Sequence, residues 1–220
     1  MDLREALRST AAIRAFTDRP VSDETIAAIL DDARFAPSGG NRQPWRVAVL
    51  KGPIVRRSLA DAMQPVWDEY VVFTSAGHTP FTAVPPAGYS PPADRPSHAP
   101  NPLLADIESI PAVLAVAADL SRIAMMDKDL DRPAVTGGAS IYPFCWSILL
   151  AAREHDLGGV ITTFATRVEP ISGPILGLPA DHALAAVIFL GQPQRRPTKL
   201  KRSPVVTTVD RFDGPPLSYD

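Results

Sequence analysis

Two stretches of this chain carry positive charge in patterns that suit an anion. Arg14 stands in Ala12-Ile13-Arg14-Ala15-Phe16, and Arg195-Arg196-Pro197-Thr198-Lys199-Leu200-Lys201-Arg202 lies near the opposite end. On an extended chain Lys199 and Lys201 point the same way, because side chains alternate with a period of two. Composition alone leaves two readings of that cluster, a solvated tail or a phosphate cradle. The small polar turn Ser38-Gly39-Gly40-Asn41 is similarly open: it either stops a helix or offers its amides and the Asn41 side chain to a polar ring or chain. No G-x-G-x-x-G, Walker loop or G-x-S-x-G elbow occurs, which removes the usual signals for a Rossmann site, a nucleotide triphosphatase and a serine hydrolase. His78, His98, His155 and His182 stand singly without metal-ligand spacing, so no metal is expected. Cys145 falls mid-pattern on an apolar helix with no base beside it and reads as a packed thiol. A chain without its own evident acid, base or nucleophile fits chemistry carried by a bound cofactor, with the protein supplying position and charge.

The elements that must position these groups follow from periodicity. Residues 2 to 9 and Asp23 to Phe35 have apolar residues at helical spacing, the second helix capped by Ser22 or Asp23. Pro37-Ser38-Gly39-Gly40-Asn41 ends it, and Trp45 to Leu50 reads as a strand. Ile54 to about Tyr70 is helical again. Residues 80 to 102 then hold eight of the 24 prolines, a segment unable to build regular ladders that is either a linker or an ordered lid. Ala112 to Ala117 reads as a buried strand and residues 139 to 155 as a central apolar helix. Two more strands, Gly159 to Phe164 and Leu184 to Leu190, bracket a short helix near Val168 to Leu176, and an extended tail follows from about residue 193. Strands without clear polar alternation, interleaved with helices, imply a sheet covered on both faces, α/β or α+β.

Bulk properties bound the reading. The chain has 220 residues, 45% hydrophobic and 21% charged, with a net charge of −2, as expected of one ordinary globular domain spanning 1–220. Basic residues are sparse outside the C-terminal stretch, so no nucleic-acid footprint is expected. Apolar runs fall short of the roughly 18 residues a membrane span needs. One cysteine permits no intrachain disulfide, and a cytoplasmic setting is expected.

Taken in order, the motifs resemble those of the FMN-dependent nitroreductase family. Ala36-Pro37-Ser38-Gly39-Gly40-Asn41-Arg42-Gln43-Pro44-Trp45 resembles that family's A-P-S-x-x-N-x-Q-P-W loop and is the most specific match. Ala12 to Phe16 resembles its N-terminal R-x-S-x-R-x-F element, and Leu157-Gly158-Gly159 with Thr162-Thr163 its G-L-G element. Ala139-Ser140-Ile141, Leu190-Gly191-Gln192-Pro193 and Lys199 to Pro204 are similar to further family segments. The resemblance implies a three-layer α+β fold with a mostly antiparallel sheet covered by helices, and a tail, about 193–220, extending onto a partner subunit. It implies a homodimer with FMN at the interface. Arg14, Lys199 and Lys201 would hold the phosphate; Ser38, Asn41 and Gln43 would lie along the ribityl chain and ring, with Thr162 and Thr163 near the ring and Ser140 also counted among the cofactor-binding residues. The family's first arginine and its serine fall here on Thr10 and Ala12, so two expected contacts are gone, with Arg8 and Arg202 as the candidates to compensate.

The implied activity is ping-pong hydride transfer from NADH or NADPH, through flavin N5, to a small acceptor such as a nitroaromatic or quinone. Acceptor contacts are expected from a lid at about 74–104, with Phe73, Phe81, Tyr89 and Tyr142 as pocket residues. Trp67 and Phe144 are either pocket or core. The alternatives are a flavin-sequestering protein without catalysis and a same-fold enzyme that fragments flavin or removes halogen.

Overall fold

A computed structural model of the chain describes residues 2–90, 98–197 and 200–217. Helix α1 (Leu3–Ser9) starts on Asp2, whose carboxylate accepts the Glu5 amide at 2.8 Å, and α2 (Asp23–Ala33) starts on Ser22, which accepts the Thr25 amide at 3.2 Å. These caps use short polar side chains to satisfy amides that the first turn leaves unpaired. Strand β1 (Trp45–Val49) leads to the long helix α3 (Pro53–Ser75), the short α4 (Pro102–Ala105) and β2 (Ala112–Asp119). A 3-10 turn at Thr136–Ser140 opens α5 (Tyr142–Ala152), followed by β3 (Gly158–Thr162), α6 (Phe164–Arg167), α7 (Glu169–Leu176) and β4 (His182–Gly191).

The four strands form one antiparallel sheet in the order β1-β2-β4-β3. Alternation along β2 divides its side chains between two cores. Leu114 and Val116 face α2 and α5, packing with Ile29, Phe144, Ile148 and Ile188. Val113 and Ala115 face the other way and pack with Leu59 and Met63 of α3, Ile107, Val187 and Phe189. The result is helix, sheet, helix, the expected three-layer α+β arrangement. A buried cation fastens the second layer: Arg56 on α3 donates to the carbonyls of Leu50 at 2.6 Å and Ile110 at 2.7 Å, and its burial lowers its pKa.

Both chain ends meet at one edge of the sheet. The Ile13 amide donates to the Gly159 carbonyl at 2.9 Å, and the first part of the tail runs beside the same segment, Gln194 N to Ala15 O at 3.1 Å and Thr17 N to Gln192 O at 2.9 Å. Gly159 has no room for a side chain, because a Cβ there would stand 2.6 Å from Leu190 Cδ2 and closer still to the Phe189 carbonyl.

Candidate cofactor site

The turn after α2 is built from unusual backbone. Gly40, Asn41 and Gln43 all take positive φ, at 60°, 51° and 49°. For the two non-glycine residues this conformation costs energy and persists only where the surroundings hold it. The holders are visible: the Gln43 amide donates to Ser38 Oγ at 2.9 Å, and the Gly39 amide donates to Ser140 Oγ at 3.1 Å. Beneath the turn Trp45 stacks on Phe144, which fixes Phe144 as core and not as pocket lining. Above it Asn41 and Gln43 are exposed. Gln43 Nε2 donates to Asn41 Oδ1 at 3.0 Å, which turns the Asn41 amide N–H and the Gln43 carbonyl outward as an adjacent donor and acceptor.

At the other corner of the sheet Arg14 is exposed and makes no ion pair among the described residues. It lines a cleft of about 630 Å³ with Phe16, Leu103, Ile110 and Gln194. Asp18 and Asp106 share that cleft and disfavour an anion deep within it. Lys201 is exposed, seven residues beyond Gln194, and Lys199 lies outside the described residues. Thr10 is buried, its hydroxyl donating to Ala6 O at 2.7 Å and accepting from Arg153 at 3.2 Å; it is thus committed to the fold.

Thr162 and the exposed Thr163 close β3, Thr162 Oγ1 donating to Val187 O at 3.3 Å. Beyond them a second cleft, of about 590 Å³, is lined by Tyr70, Phe81, Thr163, Phe164 and Arg167 among others. Of the four residues expected to meet an acceptor, Phe81 lines this cleft. Phe73 is buried and supports Phe81 and Tyr89 from below, with ring centroids at 5.7 and 5.9 Å. Tyr142 is elsewhere, beside a third cleft with Met125 and Val135, its hydroxyl 3.4 Å from Ala185 O. Trp67 belongs to the aromatic group with Tyr70 and Phe164 and donates to Pro100 O at 3.1 Å. Sequence reading missed Tyr70, Phe164 and Arg167. A usable signal was present, since Thr163 and Arg167 are spaced one helical turn apart directly after a strand.

The expected site residues therefore fall into two groups on one chain. Arg14 and Thr163 flank the two ends of β3, while Ser38, Asn41, Gln43 and Ser140 sit where Trp45 pairs with Ala118 and Ala118 with Ala183. Gly159 pairs with Leu190, so Arg14 is separated from the second group by seven residues of β4, roughly 23 Å, and by three strand spacings, roughly 14 Å. Thr163, one past the Thr162–Val187 pair, lies across the same strands but only about three residues, roughly 10 Å, along them.

The nitroreductase family model matches residues 7–192. The chain belongs to the nitroreductase family. It is 27% identical over 208 residues to a nitrobenzene nitroreductase of Ectopseudomonas oleovorans, with 85% of each chain covered. The NADPH:FMN oxidoreductase from Vibrio harveyi, solved with NAD+, superimposes with a TM-score of 0.62 at 21% identity, over 91% of this chain and 72% of that one. Iodotyrosine deiodinase, solved with FMN and 3-iodo-L-tyrosine, gives a TM-score of 0.67 at 18% identity, over 96% of this chain and all, 100%, of that one. At these identities the two solved structures share its fold. Among the described residues of this nitroreductase-family chain no helix is long and apolar enough to cross a membrane.

Proposed function

We propose that this oxidoreductase binds FMN between two copies of the chain and passes electrons from NADH or NADPH to a small nitroaromatic or quinone. The observation that carries the reading is the layout of β3. Arg14 flanks its Gly159 end and Thr163 follows its other end, four residues or roughly 13 Å along the strand, with a cation that makes no ion pair among the described residues at one end and an aromatic cleft at the other. That suits a phosphate and a planar ring joined by a short chain.

The residues fit the cofactor. Arg14, with Lys199 and Lys201 from the tail, would take the phosphate through charge-assisted bonds. Asn41 and Gln43 offer an outward donor and acceptor side by side, complementary to an imide edge of the flavin ring. Because this turn lies at the diagonal corner of the sheet from Arg14, it would come from the second copy, which makes the site a homodimer property. Thr162 and Thr163 would lie near the ring, and buried Ser140 would act by holding Gly39. When bound, FMN supplies two-electron chemistry, so that a nitroarene, NAD(P)H and a proton become a nitrosoarene, NAD(P)+ and water. The protein's part is to hold the ring, place dipoles where its reduced charge develops and keep one face open. Residues 91–97 of the proline-rich segment lie outside the described residues; its described parts, 74–90 and 98–104, anchored where Asp68 accepts the His98 and Ala99 amides at 3.2 and 2.7 Å, would cover that face as part of a single domain.

The test is an absorption spectrum of the purified protein before and after anaerobic NADPH, followed by a nitroaromatic. Flavin bands bleached by NADPH and restored by the acceptor are expected. Colourless protein that ignores added FMN overturns the proposal, and yellow protein that no nicotinamide bleaches leaves only flavin binding.

A further inference from the structure

The cleft beside Thr163 holds one cation, and its setting is specific. Arg167 Cζ lies 4.3 Å over the Phe81 ring, and its Nη2 donates to Glu69 Oε1 at 3.1 Å. Those contacts fix the guanidinium plane while using few of its five N–H donors. The side chain remains 49% exposed, whereas Glu69 is only 20% exposed, so the cation faces the cleft and the carboxylate lies behind it. Around them the lining is aromatic, with Phe164 edge-on to Tyr70 at 5.7 Å and Phe81 opposite. No lysine, histidine or second arginine lines this cleft among the described residues. Thr166 Oγ1 is engaged by the Thr163 carbonyl, which leaves Arg167 as the charged recognition group.

We infer that this cleft selects aromatic acceptors bearing a carboxylate, with Arg167 as the carboxylate's partner. The inference rests on the flavin reading for which end of the ligand reacts. One helical turn, roughly 6 Å of rise, separates Thr163 from Arg167, and a single benzene ring with substituents at opposite ends bridges that gap. The reducible group lies toward Thr163 and the carboxylate toward Arg167. The ring packs among Tyr70, Phe81 and Phe164. Glu69 opposes an incoming anion and moderates the preference, while fixing the fork that receives it.

Binding is measured first, by calorimetry on the purified protein with redox-inert benzoate and its neutral near-isostere benzamide. Benzoate is expected to bind at least about fivefold more tightly. Arg167→Gln removes the difference, Arg167→Lys restores part of it, and Glu69→Gln enlarges it. Turnover is measured next: the kcat/KM ratio of 4-nitrobenzoate to 4-nitrobenzamide drops about fivefold or more in Arg167→Gln. Equal binding of benzoate and benzamide, or a preference that survives Arg167→Gln, overturns the inference. If neither nitro compound is reduced while the benzoate preference holds, the proposed activity fails and this cleft assignment stands; if both are reduced at a ratio indifferent to Arg167, the reverse is true.

Discussion

The rings of Trp45 and Phe144 lie parallel within 1°, with centroids 4.6 Å apart. One residue begins the strand that follows the Ser38–Gln43 turn and the other sits in the first turn of α5, so the stack clamps together the two elements that shape the turn.

Phe144→Ala is expected to lower unfolding free energy by about 3–5 kcal/mol, since it removes a buried ring and its stacking partner's support. Urea denaturation measures this. A loss under about 1 kcal/mol would show that the clamp collapses onto other side chains.

Changing Lys199 and Lys201 together to Ala is expected to raise the Kd for FMN by about tenfold or more at low salt, with a weaker dependence on salt than in the parent. Titration with free FMN, whose fluorescence changes on binding, measures it. Unaltered affinity at every salt concentration refutes the tail as a phosphate holder.

Burial pushes the Cys145 thiol up to about 12. The folded state thus favours the protonated thiol, and this contribution to stability is complete below the ordinary thiol value and is lost as pH rises through it toward 12. At pH 8 a thiol reagent should react with unfolded protein in urea far faster than with native protein. Equal rates would place Cys145 at the surface.

Asp127 is buried and accepts from Thr136 Oγ1, the Val135 amide at 2.8 Å and Arg132 at 2.7 Å. The Thr136 hydroxyl first, and then the Val135 amide, hold its carboxyl far below the usual carboxylate range. The sign is opposite to that of Cys145: the contribution is present above the ordinary carboxylate pKa and fades as pH falls below it. Asp127→Asn should lower Tm at pH 7, and the gap between variant and parent should narrow at pH 3. A gap that is constant with pH would mean the loop is held by shape alone.

Much of this was legible in residue order. All four strands fall within two residues of their expected starts, because β-branched and small apolar runs bounded by turn residues are unambiguous in a sheet buried on both faces. The Ala36 to Trp45 loop declared itself through its order of small turn residues, of which Gly40 takes a positive φ. By contrast, the helix read as ending near Tyr70 continues through Ser75, since its final turns are stabilised by Phe81 and Tyr89 arriving from a segment without periodicity. The Asp127 loop gave no signal, because its carboxylate gathers donors by tertiary geometry. Tyr142 was assigned by residue type, and type carries no direction.

The diagonal separation of Arg14 from Asn41 has a genetic corollary under the two-chain proposal. Arg14→Ala and Asn41→Ala each damage both sites of a homodimer. In a mixed dimer both lesions fall on one site and the other is whole, so random mixing of two crippled proteins would regenerate about a quarter of the sites. Activity would reappear from partners that individually have little, the behaviour of complementing alleles.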